Sequence, residues 1–197
     1  MKRRDALKST AMILGYAISG STVAVLMQSC ESGPKLSWTP TILSNNQAQI
    51  LSGLIDRILP STSTPGGLDV GTDQFVDKIL ASAFPENIQK GFLAGLDAFN
   101  AESKSLQGKN FTKLDDSKKD EVIRAFEEKS GPLPGNLWAY NFADGDEFPF
   151  YRMMKELALL GYFHSEKIGK EFLAYDPIPG PFQGCIDYGD VGKAWTE

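Results

Sequence analysis

The segment from Ser44 to Pro60 restricts the fold more than any other. Ile50, Leu51, Leu54, Ile55, Ile58 and Leu59 recur at three- and four-residue intervals, which places them on one face of a helix. Ser44 stands ahead of them with Gln47 three residues on, the pattern of a capping box. Pro60 follows directly and cannot continue the helix. A stripe bounded this sharply must be buried against other elements, and the rest of the chain offers helices. A second is predicted from near Thr72, burying Phe75, Val76, Ile79 and Leu80 before Pro85 interrupts. A third runs from about Glu86 to Ser105 with Ile88, Phe92, Leu96 and Phe99 on one side, and a fourth from Lys118 to Lys129 buries Val122, Ile123 and Phe126. No segment alternates strictly enough for a sheet, so the class is mainly α, a small domain of about five helices.

Two details of these helices bear on packing. Gly91 and Gly95 lie one turn apart in the third; each costs about 1 kcal/mol relative to Ala, to be explained by close approach of another helix or by plain tolerance. After the fourth helix comes a long Pro/Gly/aromatic connection, SGPLPGNLWAYNFADGDEFPF, either well packed or part of an interface. The last clear helix is predicted from Pro149 to Gly169. Its apolar residues, Phe150 through Phe163, cover more than one stripe, so it is central to the core or docks onto something else. Beyond it, three prolines between Pro177 and Phe182 favour an extended C-terminal tail.

The N-terminus reads as an address. Arg3 and Arg4 precede an uncharged, mostly apolar stretch moderated by Gly15, Ser19, Gly20, Ser21 and Thr22, the composition of a twin-arginine signal, which exports folded proteins. A retained anchor or a disordered tail is the other reading of this stretch. Leu26-Met27-Gln28-Ser29-Cys30 is similar to a bacterial lipoprotein cleavage site; acylated Cys30 would hold the domain at a membrane surface, against the alternative of a buried cysteine. The chain thus divides into an export signal over 1–30, a polar, proline-containing tether over 31–43 and a helical domain over 44–197. The expected location is the periplasm, membrane-associated. Loss of residues 1–29 removes Lys2, Arg3, Arg4 and Lys8 against Asp5, leaving 16 basic and 24 acidic side chains, a net charge of −8. That surface repels nucleic acid. Cys185 is then the one remaining thiol, and in an oxidising compartment it is either buried or bridged to another chain.

The chemistry available to one chain of this composition is narrow. His164 is the only histidine, so any Ser-His-Asp or Cys-His set must use it, and the bland reading is a structural or interface residue. A helical di-iron site needs two Glu-x-x-His pairs, and two cysteines serve zinc poorly. Asp144-Gly145-Asp146-Glu147 lacks the spacing of an EF-hand loop and reads as a solvated turn. Pro65-Gly66-Gly67 has no Lys-Ser/Thr after it, and no Gly-x-Gly-x-x-Gly fingerprint occurs. No catalytic, metal or cofactor-binding residue is assigned.

Three stretches together carry a likeness: DRILPSTSTPGGLDVGTDQFVD at 56–77, ALLGYFHSEKIG at 158–169 and YDPIPGPFQGC at 175–185. With the arginine-led signal they resemble the gluconate 2-dehydrogenase subunit 3 family. The resemblance implies a non-catalytic small subunit of an oxidoreductase complex acting on CH–OH groups. It would escort and anchor a partner, an FAD-dependent dehydrogenase of the glucose–methanol–choline type, with a cytochrome c subunit and its haem as electron acceptor in some complexes. FAD and haem would belong to those partners. A flavoprotein must bind FAD before export, which gives folded export its reason. The interface residues so implied are Phe163, His164, Tyr175, Pro179, Phe182 and Cys185; intramolecular packing of the tail on the last helix is the competing account. A stand-alone envelope lipoprotein that binds or scaffolds is the alternative function, and an independent enzyme would need His164.

Overall fold

The computed structural model describes residues 36–131, 149–176, 178, 180–181 and 184–196. Arg3, Arg4, Cys30, Pro179, Phe182 and most of the connection before Pro149 lie outside them. The described residues form five long helices and contain no strand, so the fold is mainly α. Helix α1 spans Asn45–Ile58, α2 Thr72–Ala83, α3 Glu86–Gln107, α4 Asp116–Lys129 and α5 Phe150–Phe163; a four-residue helix, α6, follows at Tyr188–Val191.

Local chemistry sets the boundaries. Ser44 Oγ accepts the Gln47 N–H (3.3 Å) and Gln47 Oε1 accepts the Ser44 N–H (3.0 Å), the reciprocal box expected from sequence. Asp115 caps α4 by accepting the Lys118 N–H at 3.0 Å, and this bond holds its carboxyl below the usual range. Helix α1 is the hub: it packs against α2, α3, α4 and the 3-10 turn Phe111–Lys113, while α5 lies across α2, α3 and α4. Its stripe Ile50, Leu51, Leu54 and Ile55 is fully buried, each side chain contributing about 1.5–3 kcal/mol. Aromatic rings knit α3 to its neighbours edge to face, Phe99 against Phe111 (4.8 Å between centroids) and Phe126 (5.1 Å), and Phe92 against Phe150 (5.0 Å).

The two glycines of α3 have different explanations. A Cβ on Gly95 would overlap the Phe150 ring, whereas one on Gly91 would meet nothing. Close approach explains the first and tolerance the second.

The structure departs from the sequence expectation in two places. The tether read over 31–43 is, from Leu36 onward, part of the domain: Leu36, Trp38 and Ile42 pack against the core and Leu43 is buried. Two acids one turn apart on α2 hold this strap. Asp73 accepts from Trp38 Nε1 (3.1 Å) and Ser52 Oγ (2.6 Å), and Asp77 accepts the backbone N–H groups of Thr41, Ile42 and Leu43. Second, the last helix ends at Phe163 rather than Gly169. Side chains take over its terminal carbonyls: Ser165 Oγ donates to Tyr162 O (2.7 Å), and His164 Nδ1 lies 3.0 Å from Leu160 O. A π-helical turn, Ile168–Phe172, then redirects the chain. Beyond the Pro-rich stretch, part of which lies outside the described residues, the chain forms the short helix α6.

Candidate partner-docking site

Helix α5 is apolar on more than one side because it has two jobs. Met153, Met154, Leu157, Ala158 and Gly161 face the core, Gly161 so closely that a Cβ there would overlap Phe75. Glu156, Leu159, Leu160 and Phe163 form a second stripe, one wall of a groove of about 360 Å³. The opposite wall is Leu173, Ala194 and Trp195. The π turn delivers Leu173, whose N–H donates to Ile168 O at 3.0 Å. The chain end then returns alongside: Ala174 N–H donates to Ala194 O (2.8 Å) and Thr196 N–H to Ala174 O (3.0 Å), a single parallel bridge between Ala174 and Trp195. Lys193 Nζ, donating to Glu171 O at 3.3 Å, supports the same return.

The groove is apolar apart from Glu156 and His164. Beside it, Glu166 and Lys170 pair at 2.7 Å, which lowers the carboxyl and raises the ammonium through their mutual hydrogen bond. A neighbouring cleft lined by Asp69, Glu166, Lys167 and Lys170 is larger, about 460 Å³, but three of its charges already have internal partners: Glu166 and Lys170 have each other, and Asp69 accepts the Gly66 N–H at 2.7 Å and lies low for that reason. The apolar groove is the better candidate for an external ligand. Among the described residues no group of three or more His, Cys, Asp or Glu side chains could hold a metal ion.

Phe163 (46% exposed) and His164, both expected at an interface, line this groove. Tyr175 is half exposed and follows the bridge residue Ala174, and Cys185 is an exposed free thiol rather than a buried one. Pro179 and Phe182 lie outside the described residues. In the described part of the tail Ile178 is 84% exposed, and Ile186 and Tyr188 are exposed as well. Sequence reading missed Trp195, which closes the groove. Its signal was a large aromatic in the otherwise polar Gly-Lys-Ala-Trp-Thr-Glu ending, but a lone aromatic does not announce what it packs beside.

No curated protein and no solved structure matches the chain. The family model for gluconate 2-dehydrogenase subunit 3 matches residues 45–180, which takes in all five long helices, the α5 wall of the groove and Tyr175, and stops short of Cys185 and Trp195. With well over half of its length under that one model, the chain belongs to the gluconate 2-dehydrogenase subunit 3 family.

Proposed function

We propose that this chain is a non-catalytic accessory subunit that escorts a folded, FAD-dependent sugar or sugar-acid dehydrogenase across the membrane and holds it at the periplasmic side. The observation that carries the reading is where the exposed apolar side chains fall. Of the eight exposed large hydrophobic side chains among the described residues, Phe163, Tyr175, Ile178, Ile186, Tyr188 and Trp195 lie after the core-forming part of α5, and only Leu68 and Leu106 lie elsewhere. Such residues concentrated on one region of a chain from a multisubunit dehydrogenase family fit a surface that another subunit covers. The flavin would sit in the large subunit, with a cytochrome c subunit as its electron acceptor. Arg3 and Arg4 would supply the export address and acylated Cys30 the anchor.

The test is a strain carrying Arg3→Lys and Arg4→Lys. Both this chain and its flavoprotein should remain in the cytoplasm, since the partner would have no address of its own. Flavoprotein reaching the periplasm of that strain overturns the escort role.

A further inference from the structure

The strap at 36–43 decides from which end of the domain the chain enters. Trp38 Nε1 donates to Asp73 at the start of α2, and the Thr41, Ile42 and Leu43 N–H groups donate to Asp77 one turn further on. The strap therefore runs against the direction of α2, and the chain comes in from the side of that helix's N-terminus. The loop over residues 60–71 lies at the same end. Gly67 N–H donates to Leu59 O (2.8 Å) just past α1, Thr72 N–H to Gly67 O (3.0 Å), and Tyr162 Oη near the end of α5 to Pro65 O (2.8 Å). This pinned loop carries Leu68 on the 3-10 turn Leu68–Val70, and Leu68 is 39% exposed. Glu127 and Glu128 mark the other end: Arg152, at the start of α5, donates to Glu127, and Tyr162 lies ten residues on, about 15 Å along the helix.

We propose that the α2 N-terminal end of the domain, with Leu68 on it, lies against the lipid surface, and that the strap is what turns it there. The proposal rests on the acyl-anchor part of the accessory-subunit reading and adds an orientation to it. Cys30 precedes Leu36 by six residues, so an acylated Cys30 is at most about 22 Å along the chain from the strap. With the strap loose, the leash would run fourteen residues to Ser44, up to about 50 Å, and any side of the domain could face the bilayer. Held by Asp73 and Asp77, it keeps one end nearest the lipid. Leu68 then gains by entering the headgroup layer, as apolar side chains at an interface do. The charges of the adjacent cleft, Asp69, Glu166 and Glu171 with Lys167 and Lys170, carry both signs. That mixture suits a zwitterionic headgroup surface better than a strongly anionic one.

The experiment uses full-length chain purified with its flavoprotein from native envelopes and placed in phosphatidylcholine vesicles. A photoreactive benzophenone side chain replaces Leu68 in one preparation and Glu128 in another, and mass spectrometry of the N-terminal peptide reads the acyl group in both. Lipid adducts at position 68 should exceed those at 128 at least about fivefold. Adding Asp77→Ala, which frees the strap, should cut that ratio at least about twofold. The first comparison involves no destabilising change and decides the orientation even where Asp77→Ala does not fold. Equal lipid adducts at the two positions in acylated chain overturn the orientation and leave the anchor standing. Adducts at position 68 to the flavoprotein or to a second copy, in place of lipid, identify a protein as the occupant and also overturn it. A ratio unchanged in folded Asp77→Ala chain overturns the strap as its cause. An N-terminal peptide without an acyl group overturns the anchor itself.

Discussion

At the scale of single residues, Asp77 does more for the domain than its position on a polar-looking helix suggests. It is 1% exposed and takes three successive N–H groups, those of Thr41, Ile42 and Leu43, at 2.5, 3.2 and 3.2 Å. Without it, amides at the edge of the core would lose their acceptor, at about 1–3 kcal/mol for each one left unsatisfied. Asp77→Ala should therefore lower unfolding free energy by about 3 kcal/mol, read from urea midpoints, and free the strap to proteolysis near Trp38. Asp77→Asn, which keeps one acceptor oxygen, should lose clearly less. Equal midpoints for all three proteins would show that the strap is not held this way.

At the scale of elements, α4 and α5 are joined by charge at the point where the connection between them begins and ends. Glu127 on α4 accepts from Lys155 Nζ (2.9 Å), Arg152 Nη1 (3.1 Å) and Tyr151 Oη (3.4 Å), and Arg152 also donates to Gly131 O at 2.6 Å. The hydrogen bond from Lys155 and the two cations hold the Glu127 carboxyl below its usual range. Burial, and then Glu127, push the Tyr151 hydroxyl up, so it stays protonated. A carboxyl with a depressed folded-state pKa stabilises the fold above its unfolded value, about 4.3, and that contribution is lost as pH falls through the lower, folded value. Stability should decline below about pH 4.5, and Glu127→Gln should flatten that part of the profile while lowering stability at neutral pH. An unchanged acid limb in thermal melts would remove Glu127 from the cause.

At the scale of the whole molecule, the core and the proposed docking surface occupy different parts of the chain. The described core cluster runs from Leu43 to Ala158, and the family match ends at residue 180. Residues 184–190 are exposed throughout, and α6 buries nothing. Truncation after Gly180 should therefore leave a folded domain, with Tm lowered by no more than about 4 °C, while flavoprotein no longer co-purifies. A truncated chain that is unfolded would place the tail in the core; one that is folded and still holds its partner would move the interface elsewhere. This separation also explains which parts were legible in advance. Helices α1 to α4 were readable because the period of an apolar stripe and the chemistry of Ser44, Pro60 and Pro85 are local properties. The double stripe of α5 was visible too, and spacing alone left open whether that helix is central to the core or docks onto something else.

Where local bonds compete, the sequence left the outcome open. The end of α5 depended on whether His164 and Ser165 would side with the helix or with its last carbonyls, and both helical continuation and the π turn satisfy short-range rules. The strap at 36–43 reads as polar linker because its anchors, Asp73 and Asp77, lie more than thirty residues away. The groove is more remote still from any local pattern: Phe163 and Trp195 meet only because one two-bond bridge brings the chain end back beside Leu173. Helical class, helix order and the α5 surface stripe follow from spacing along the chain, since neighbours three and four residues apart share a face in any helix. Which acid holds the strap, where α5 stops and what walls the groove follow from contacts between distant residues, and those exist only once the core has closed.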